Sequence, residues 1–184
     1  MAGTHTSRIV REFNELPDKI KEYCSPMERL INDDELPWDA VIAYFFTLCE
    51  AAQRRTIYYG LVKLHGCSFD LTWQAVDGAT FYKDEFRDYY RKVFGKKFPA
   101  RLDKLMEAPS KVRNKIMHGS NASEADKKKA TLDLIRYTKA YNDELEKVAG
   151  FEPFGSLQGK IKQKNKLNNS TTKWVLKGMG FSLS

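Results

Sequence analysis

Residues 37–66 read PWDAVIAYFFTLCEAAQRRTIYYGLVKLHG, and their spacing predicts one long helix. Pro37 and Trp38 open it, because a proline fits a first turn whose N–H groups have no partner to lose. Val41, Phe45, Leu48 and Ala52 recur every three or four residues, and the stripe resumes as Ile57, Leu61 and Leu64. Gly66 follows His65 and stops the helix, since glycine accepts the left-handed conformation that closes a last turn. The longest apolar stretch, Ala40 to Cys49, is about half of the roughly 20 residues that a membrane span needs. No membrane segment is therefore expected.

The flanks repeat the helical period, and turn-rich β patterns are scarce. Upstream, a helix is expected from about Ser7, as its cap, to Tyr23, with Ser25-Pro26 after it. Downstream, Cys67 to Thr80 is less regular, with a short helix around Leu71–Val76. Phe81 to Phe94 reads as a helix, aromatic on one side through Phe86, Tyr90 and Phe94. Pro99 opens another, carrying Leu102, Leu105 and Met106. Pro109 is expected to break or kink it before a short helix that reaches His118 and stops at Gly119. Ser123, with Asp126 three residues on, resembles a capping arrangement. It starts a last long helix with Leu132, Ile135, Leu145 and Val148 inward, ended by Gly150. The expectation is an all-α bundle of four to six helices over residues 1–150.

Residues 151–184 differ in character. From Phe151 onward there are six lysines and one acid, Glu152, giving +5 of the net +7, while residues 1–150 hold 25 bases and 23 acids. The run from Lys160 through Lys162 and Lys164 to Lys166 reads as a loop. Ser170 is expected to cap a short helix through Trp174, Val175, Leu176 and Met179. Trp174, Leu176 and Phe181 are too apolar to hang free, so this basic extension is expected to dock on the helical body. A basic segment suits polyanions such as nucleic acid, and equally a solvated tail.

Composition narrows the class further. The chain of 184 residues is 42% apolar and 30% charged, a globular profile. Met1 to Val10 lacks the apolar stretch of a secretory signal. Cys24, Cys49 and Cys67 are odd in number and widely spaced, which indicates neither a zinc ribbon nor a disulfide framework. A reducing cytoplasmic setting is expected. No Gly-rich phosphate loop, G-x-S-x-G elbow or H-E-x-x-H pair occurs, and no cofactor or metal is expected. Asp33-Asp34-Glu35 reads as a solvated turn and His65 as a helix-end residue.

What remains is Arg113-Asn114-Lys115-Ile116-Met117-His118. Asn114 and His118 are four apart, so on a helix they share a face and the amide can orient the imidazole. Arg113 lies about 140° round from His118 at about 100° per residue. It must reach across, or meet a histidine supplied by another subunit. The negative pole of the helix end favours imidazolium, while the neighbouring guanidinium opposes it. A guanidinium beside an acid/base group suits phosphodiester cleavage, in which negative charge develops on phosphate oxygens.

This arrangement resembles the HEPN superfamily, whose signature is Arg, four to six residues, then His, with a polar residue after the Arg. The match is Arg113, Asn114 and His118; it covers residues 38–150 loosely and the motif closely. The resemblance implies a helical bundle that dimerises, bringing two Arg/His pairs into a shared cleft. It also implies metal-independent endoribonuclease activity, in a toxin–antitoxin or antiviral defence setting with a cognate inhibitor or antitoxin. Members inhibited by a nucleotidyltransferase partner carry Tyr two residues after the His, where this chain has Ser120. Regulation through such a Tyr is not expected.

Two functional expectations follow. In the first, a homodimer cleaves RNA with His118 as proton-transfer group, Arg113 as phosphate stabiliser and Asn114 as orienter. Lys115, Lys160, Lys162, Lys164 and Lys166 then attract the RNA backbone without reading sequence. In the second, the chain is a catalytically inactive HEPN module that binds nucleic acid, a nucleotide or a protein. A third, purely structural reading leaves His118 capping its helix.

Overall fold

In the computed structural model, which describes residues 3–32, 37–159 and 166–183, the described residues form nine helices and no strand. They are α1 (Gly3–Asn14), α2 (Asp18–Tyr23), α3 (Ser25–Asn32), α4 (Trp38–His65), α5 (Phe69–Asp77), α6 (Lys83–Phe94), α7 (Ala100–Met117), α8 (Glu124–Ala149) and α9 (Asn169–Gly178). The all-α class is as expected. Over residues 1–150 the described helices are eight rather than four to six, because Pro17 divides the expected first helix and α3 follows where a turn was expected.

Three of the expected boundaries move. The helix expected over Ser7–Tyr23 is two: α1 begins before Ser7, and Pro17 takes an extended conformation (φ −53°, ψ 141°) that starts α2 afresh. Ser25-Pro26, expected to follow a helix, instead opens α3, with Pro26 in a first turn where it costs nothing. Pro109 neither ends nor divides α7. It is buried with Leu102 and Val112, so packing retains a helix that propensity alone would stop.

The chain forms two compact units. The first gathers Met1–Cys49, Pro99–Glu144 and Phe154–Ser156. α1 packs on α3, burying Ile9 and Phe13 with Met27 and Ile31, while Val41, Phe45 and Leu48 bring in the first half of α4. α8 adds Leu134, Ile135, Tyr137 and Tyr141. Ser123 caps α8 as expected, its Oγ accepting the Asp126 N–H at 3.1 Å. Buried Asn142 holds Phe154 by both backbone groups, each bond 2.8 Å, and the Phe154 ring stands edge-on to Tyr141 and Tyr23.

The second unit gathers Glu50–Phe98, Leu145–Pro153 and Leu157–Ser184. Ile57, Leu61 and Val62 of α4 are buried, as are Phe86, Tyr90 and Val93 of α6. Gly60 permits their close approach: a Cβ there would lie 2.4 Å from Val93 Cγ1 and 2.8 Å from Phe94 Cζ. His65 bonds the Val93 carbonyl at 2.7 Å, tying two helix ends together. Leu64, expected in the inward stripe, is exposed, and Val148 is half-buried.

α9 packs on α5. Its cap is Asn168, whose Oδ1 accepts the Thr171 N–H at 2.8 Å, rather than Ser170, which lies inside the helix. Thr172 Oγ1 takes the Ser68 N–H at 3.1 Å, and the Leu167 N–H reaches the Gly66 carbonyl at 2.8 Å. Leu176 and Phe181 are buried as expected, with Phe181 stacked on Tyr89 at 4.4 Å. Trp174 is not: it is 77% exposed. Leu176 already takes the inward position, and a residue two places earlier falls on the opposite side of a helix.

Candidate active site

The Arg113–His118 segment forms the last turn of α7, within the first unit, and His118 is its C-terminal cap. The Ser120 N–H bonds the Lys115 carbonyl at 2.8 Å and the Gly119 N–H bonds that of Ile116 at 3.1 Å, with Gly119 at φ +66°. This is a Schellman ending, which fixes where the His118 backbone points. Such endings commonly gain an apolar contact between the two residues that share the longer bond. At the end of α9 that pair is buried Leu176 and Phe181; here it is exposed Lys115 and Ser120. The backbone is set, and no apolar pair closes over it.

The helical period divides the candidate residues into two directions. Taking Asn114 as the origin, about 100° per residue puts His118 at about 40°, Lys111 at about 60° and Lys115 at about 100°. All four are exposed. Buried Val112 falls on the far side, at about 160°. Asn114 and His118 thus share an outward face, joined through the backbone by the His118 N–H to Asn114 carbonyl bond of 3.0 Å. Lys111 belongs to that arc and escaped the sequence reading, though its spacing of four from Lys115 was a usable signal.

Arg113 points elsewhere. It is half-buried, and its guanidinium carbon lies 4.9 Å from the centre of the Phe46 ring on α4. A planar cation over an aromatic face is an attractive, partly desolvated contact. Arg113 is therefore held on the flank of the arc while His118 faces out at its end. Beside them Met117, a large apolar residue, is 67% exposed.

Of the other residues named from sequence, Lys166 is described and exposed, and it belongs to the second unit. Lys160, Lys162 and Lys164 lie outside the described residues, as do Asp33, Asp34 and Glu35. Among the described residues no three His, Cys, Asp or Glu side chains gather as a metal-holding group. Among the described residues, no helix is long and apolar enough to cross a membrane.

A cleft of about 590 Å³ lies in the second unit between α5, α6 and residues 180–182, and none of the motif residues lines it. Its acids are engaged. Asp84 pairs with Arg87 at 3.0 Å, and Asp88 pairs with Lys92 at 2.7 Å and Arg91 at 2.8 Å. Bonds from Lys92 and then Arg91 hold the Asp88 carboxyl below its usual range. Glu85 accepts the Tyr82 N–H at 3.1 Å, capping α6. These carboxylates stabilise α6 and offer a ligand little.

In comparisons with known proteins, the chain matches no family model, no curated protein sequence and no solved structure.

Proposed function

We propose that the chain is a metal-independent endoribonuclease of the HEPN kind, working as a homodimer in a toxin–antitoxin or antiviral setting. The observation that supports this best is the exposed arc at the end of α7, where His118, Asn114, Lys111 and Lys115 face solvent together beside Arg113. A histidine that only capped its helix would need no such company. Exposed Met117 favours a second copy covering this helix end, since water around a large apolar side chain is unfavourable.

The proposed chemistry is transfer within the RNA strand. His118 of one protomer takes the proton of a ribose 2′-hydroxyl, whose oxygen attacks the adjacent phosphorus. The bond to the 5′-oxygen breaks, and that oxygen takes a proton from the His118 of the partner subunit. The products carry a 2′,3′-cyclic phosphate and a 5′-hydroxyl. Arg113 stabilises charge on the phosphate oxygens, Asn114 orients the imidazole, and Lys115 and Lys111 hold the neighbouring backbone.

One observation favours the inactive-module reading instead. The cation–π contact on Phe46 gives Arg113 a packing role that needs no substrate. The two readings separate when pure protein is incubated with mixed RNA in EDTA. Cleavage that leaves cyclic phosphate ends and disappears in His118→Ala supports the nuclease. Intact RNA at any protein concentration leaves the binding module.

A further inference from the structure

The second unit carries a surface that the motif does not explain. From Pro153 to Ser184 the chain contains no aspartate or glutamate and six lysines. Within that stretch α9 is pinned from beneath by buried Thr172 and Leu176, by the Ser68–Thr172 and Gly66–Leu167 bonds, and by Phe181 on Tyr89. Its outward face is consequently fixed. Relative to Leu176, Lys173 lies at about 60°, Lys177 at about 100°, Ser170 at about 120° and Trp174 at about 160°. All four are exposed, and the indole is 77% exposed. Asp84 and Asp88 of α6 are matched by that helix's own Arg87, Arg91 and Lys92, and Glu85 caps the helix. Lys166, Lys173 and Lys177 make no ion pair among the described residues.

We propose that the outer face of α9, Trp174 flanked by Lys173 and Lys177 with Lys166 before it, binds single-stranded nucleic acid. The indole stacks on an unpaired base, and the ammonium groups, one helical turn apart, hold the phosphates on either side. A duplex keeps its base faces stacked on one another, so it offers Trp174 no platform. A lipid surface fits less well. An interfacial helix needs a continuous apolar face to immerse, and the apolar face of α9 is the one turned inward. This binding does not rest on cleavage at His118 and stands whether or not that histidine turns over RNA.

The probe is a fluorescein-labelled 2′-O-methyl oligouridine, which has no 2′-hydroxyl to attack, so binding is read apart from any nuclease activity. Anisotropy with the full chain should give a saturable isotherm that is weaker on the matching duplex. Trp174→Ala should weaken single-strand binding about tenfold, in the range that loss of one stacked base produces, with Trp174→Phe recovering most of it. Lys173→Ala with Lys177→Ala should lower the slope of log affinity against log salt by about 1.4, about 0.7 for each lost phosphate contact. Trp73→Ala, an exposed tryptophan with no lysine on its own helix, should bind as wild type. Unchanged affinity in Trp174→Ala, with an unchanged melting temperature, would overturn the proposal. So would equal losses on single strand and duplex. Loss of sedimentation with phosphatidylserine vesicles, or of self-association in light scattering, with RNA binding intact would assign the face to lipid or to a second copy instead.

Discussion

Arg113 separates the catalytic from the structural reading, because its guanidinium lies over the Phe46 ring while the proposed nuclease also needs it on phosphate. Arg113→Ala should abolish RNA cleavage and also lose a cation–π contact worth about 0.5–1 kcal/mol, lowering the melting temperature by roughly 1–4 °C. His118→Ala should abolish cleavage with no measurable thermal change, since an exposed cap residue away from the core contributes within about 0.5 kcal/mol. Activity assays beside calorimetry on both variants check the pair. A large thermal loss in His118→Ala would return that residue to a purely structural role. The outward pairing of Asn114 with His118 was legible in the sequence because four-residue spacing on a helix fixes a shared face. The Arg113 contact was not, because Phe46 sits on a different helix and no local spacing encodes which helices meet. Trp174 was misread for a related reason: hydrophobicity says what burial would gain, not whether the inward position is already taken.

Helices in each unit make contacts that propensity alone would not favour. Gly60 lies mid-α4, where alanine would raise helix propensity by about 1 kcal/mol. The space for its methyl is taken by Val93 and Phe94, and overpacking of this kind costs roughly 1–3 kcal/mol. Gly60→Ala should therefore destabilise the protein, and a denaturant midpoint at or above wild type would show that α6 can yield. In the first unit α1 and α8 are joined by Glu12, whose carboxylate takes bonds of 2.6 and 2.8 Å from Arg136. Those bonds, and then Arg8, hold its pKa below the usual carboxylate value. With the folded value depressed, the pair's contribution is complete above the unfolded carboxylate value, about 4.3. It fades as pH falls through the lower folded one, and it should amount to about 1 kcal/mol. Glu12→Gln should flatten the acid limb of a stability–pH curve by that amount, and superimposed curves would mean that the pair contributes nothing. The termini of α4 and α8 were readable because a capping serine or a closing glycine acts locally. The passage of α7 through Pro109 was not, because whether a proline ring is buried depends on tertiary packing and not on its local pattern.

For the molecule as a whole, the nuclease reading requires two copies, and exposed Met117 beside His118 supplies a direct check. Met117→Cys should yield a disulfide-linked dimer under mild oxidation, and light scattering should give twice the chain mass at micromolar concentration. A monomer in both would remove the shared cleft. The native cysteines should not interfere. All three are buried, and burial pushes the Cys24 thiol up to about 12 and raises Cys67 as well. Wild-type protein should accordingly resist Ellman's reagent at neutral pH until it is unfolded. The helical class was legible from periodicity, but the division into two interleaved units was not, since each draws on segments far apart in sequence. That interleaving has a consequence for biosynthesis. The first unit closes on Phe154, clamped by Asn142, long after its opening helices have left the ribosome. At about 5–20 residues per second, the nascent chain waits on the order of ten seconds between the synthesis of Tyr23 and that of the Phe154 ring it packs against. A chain cut before Phe154 should therefore be less stable than the full chain, since Tyr23, Tyr141 and Asn142 would all lose the group that joins them.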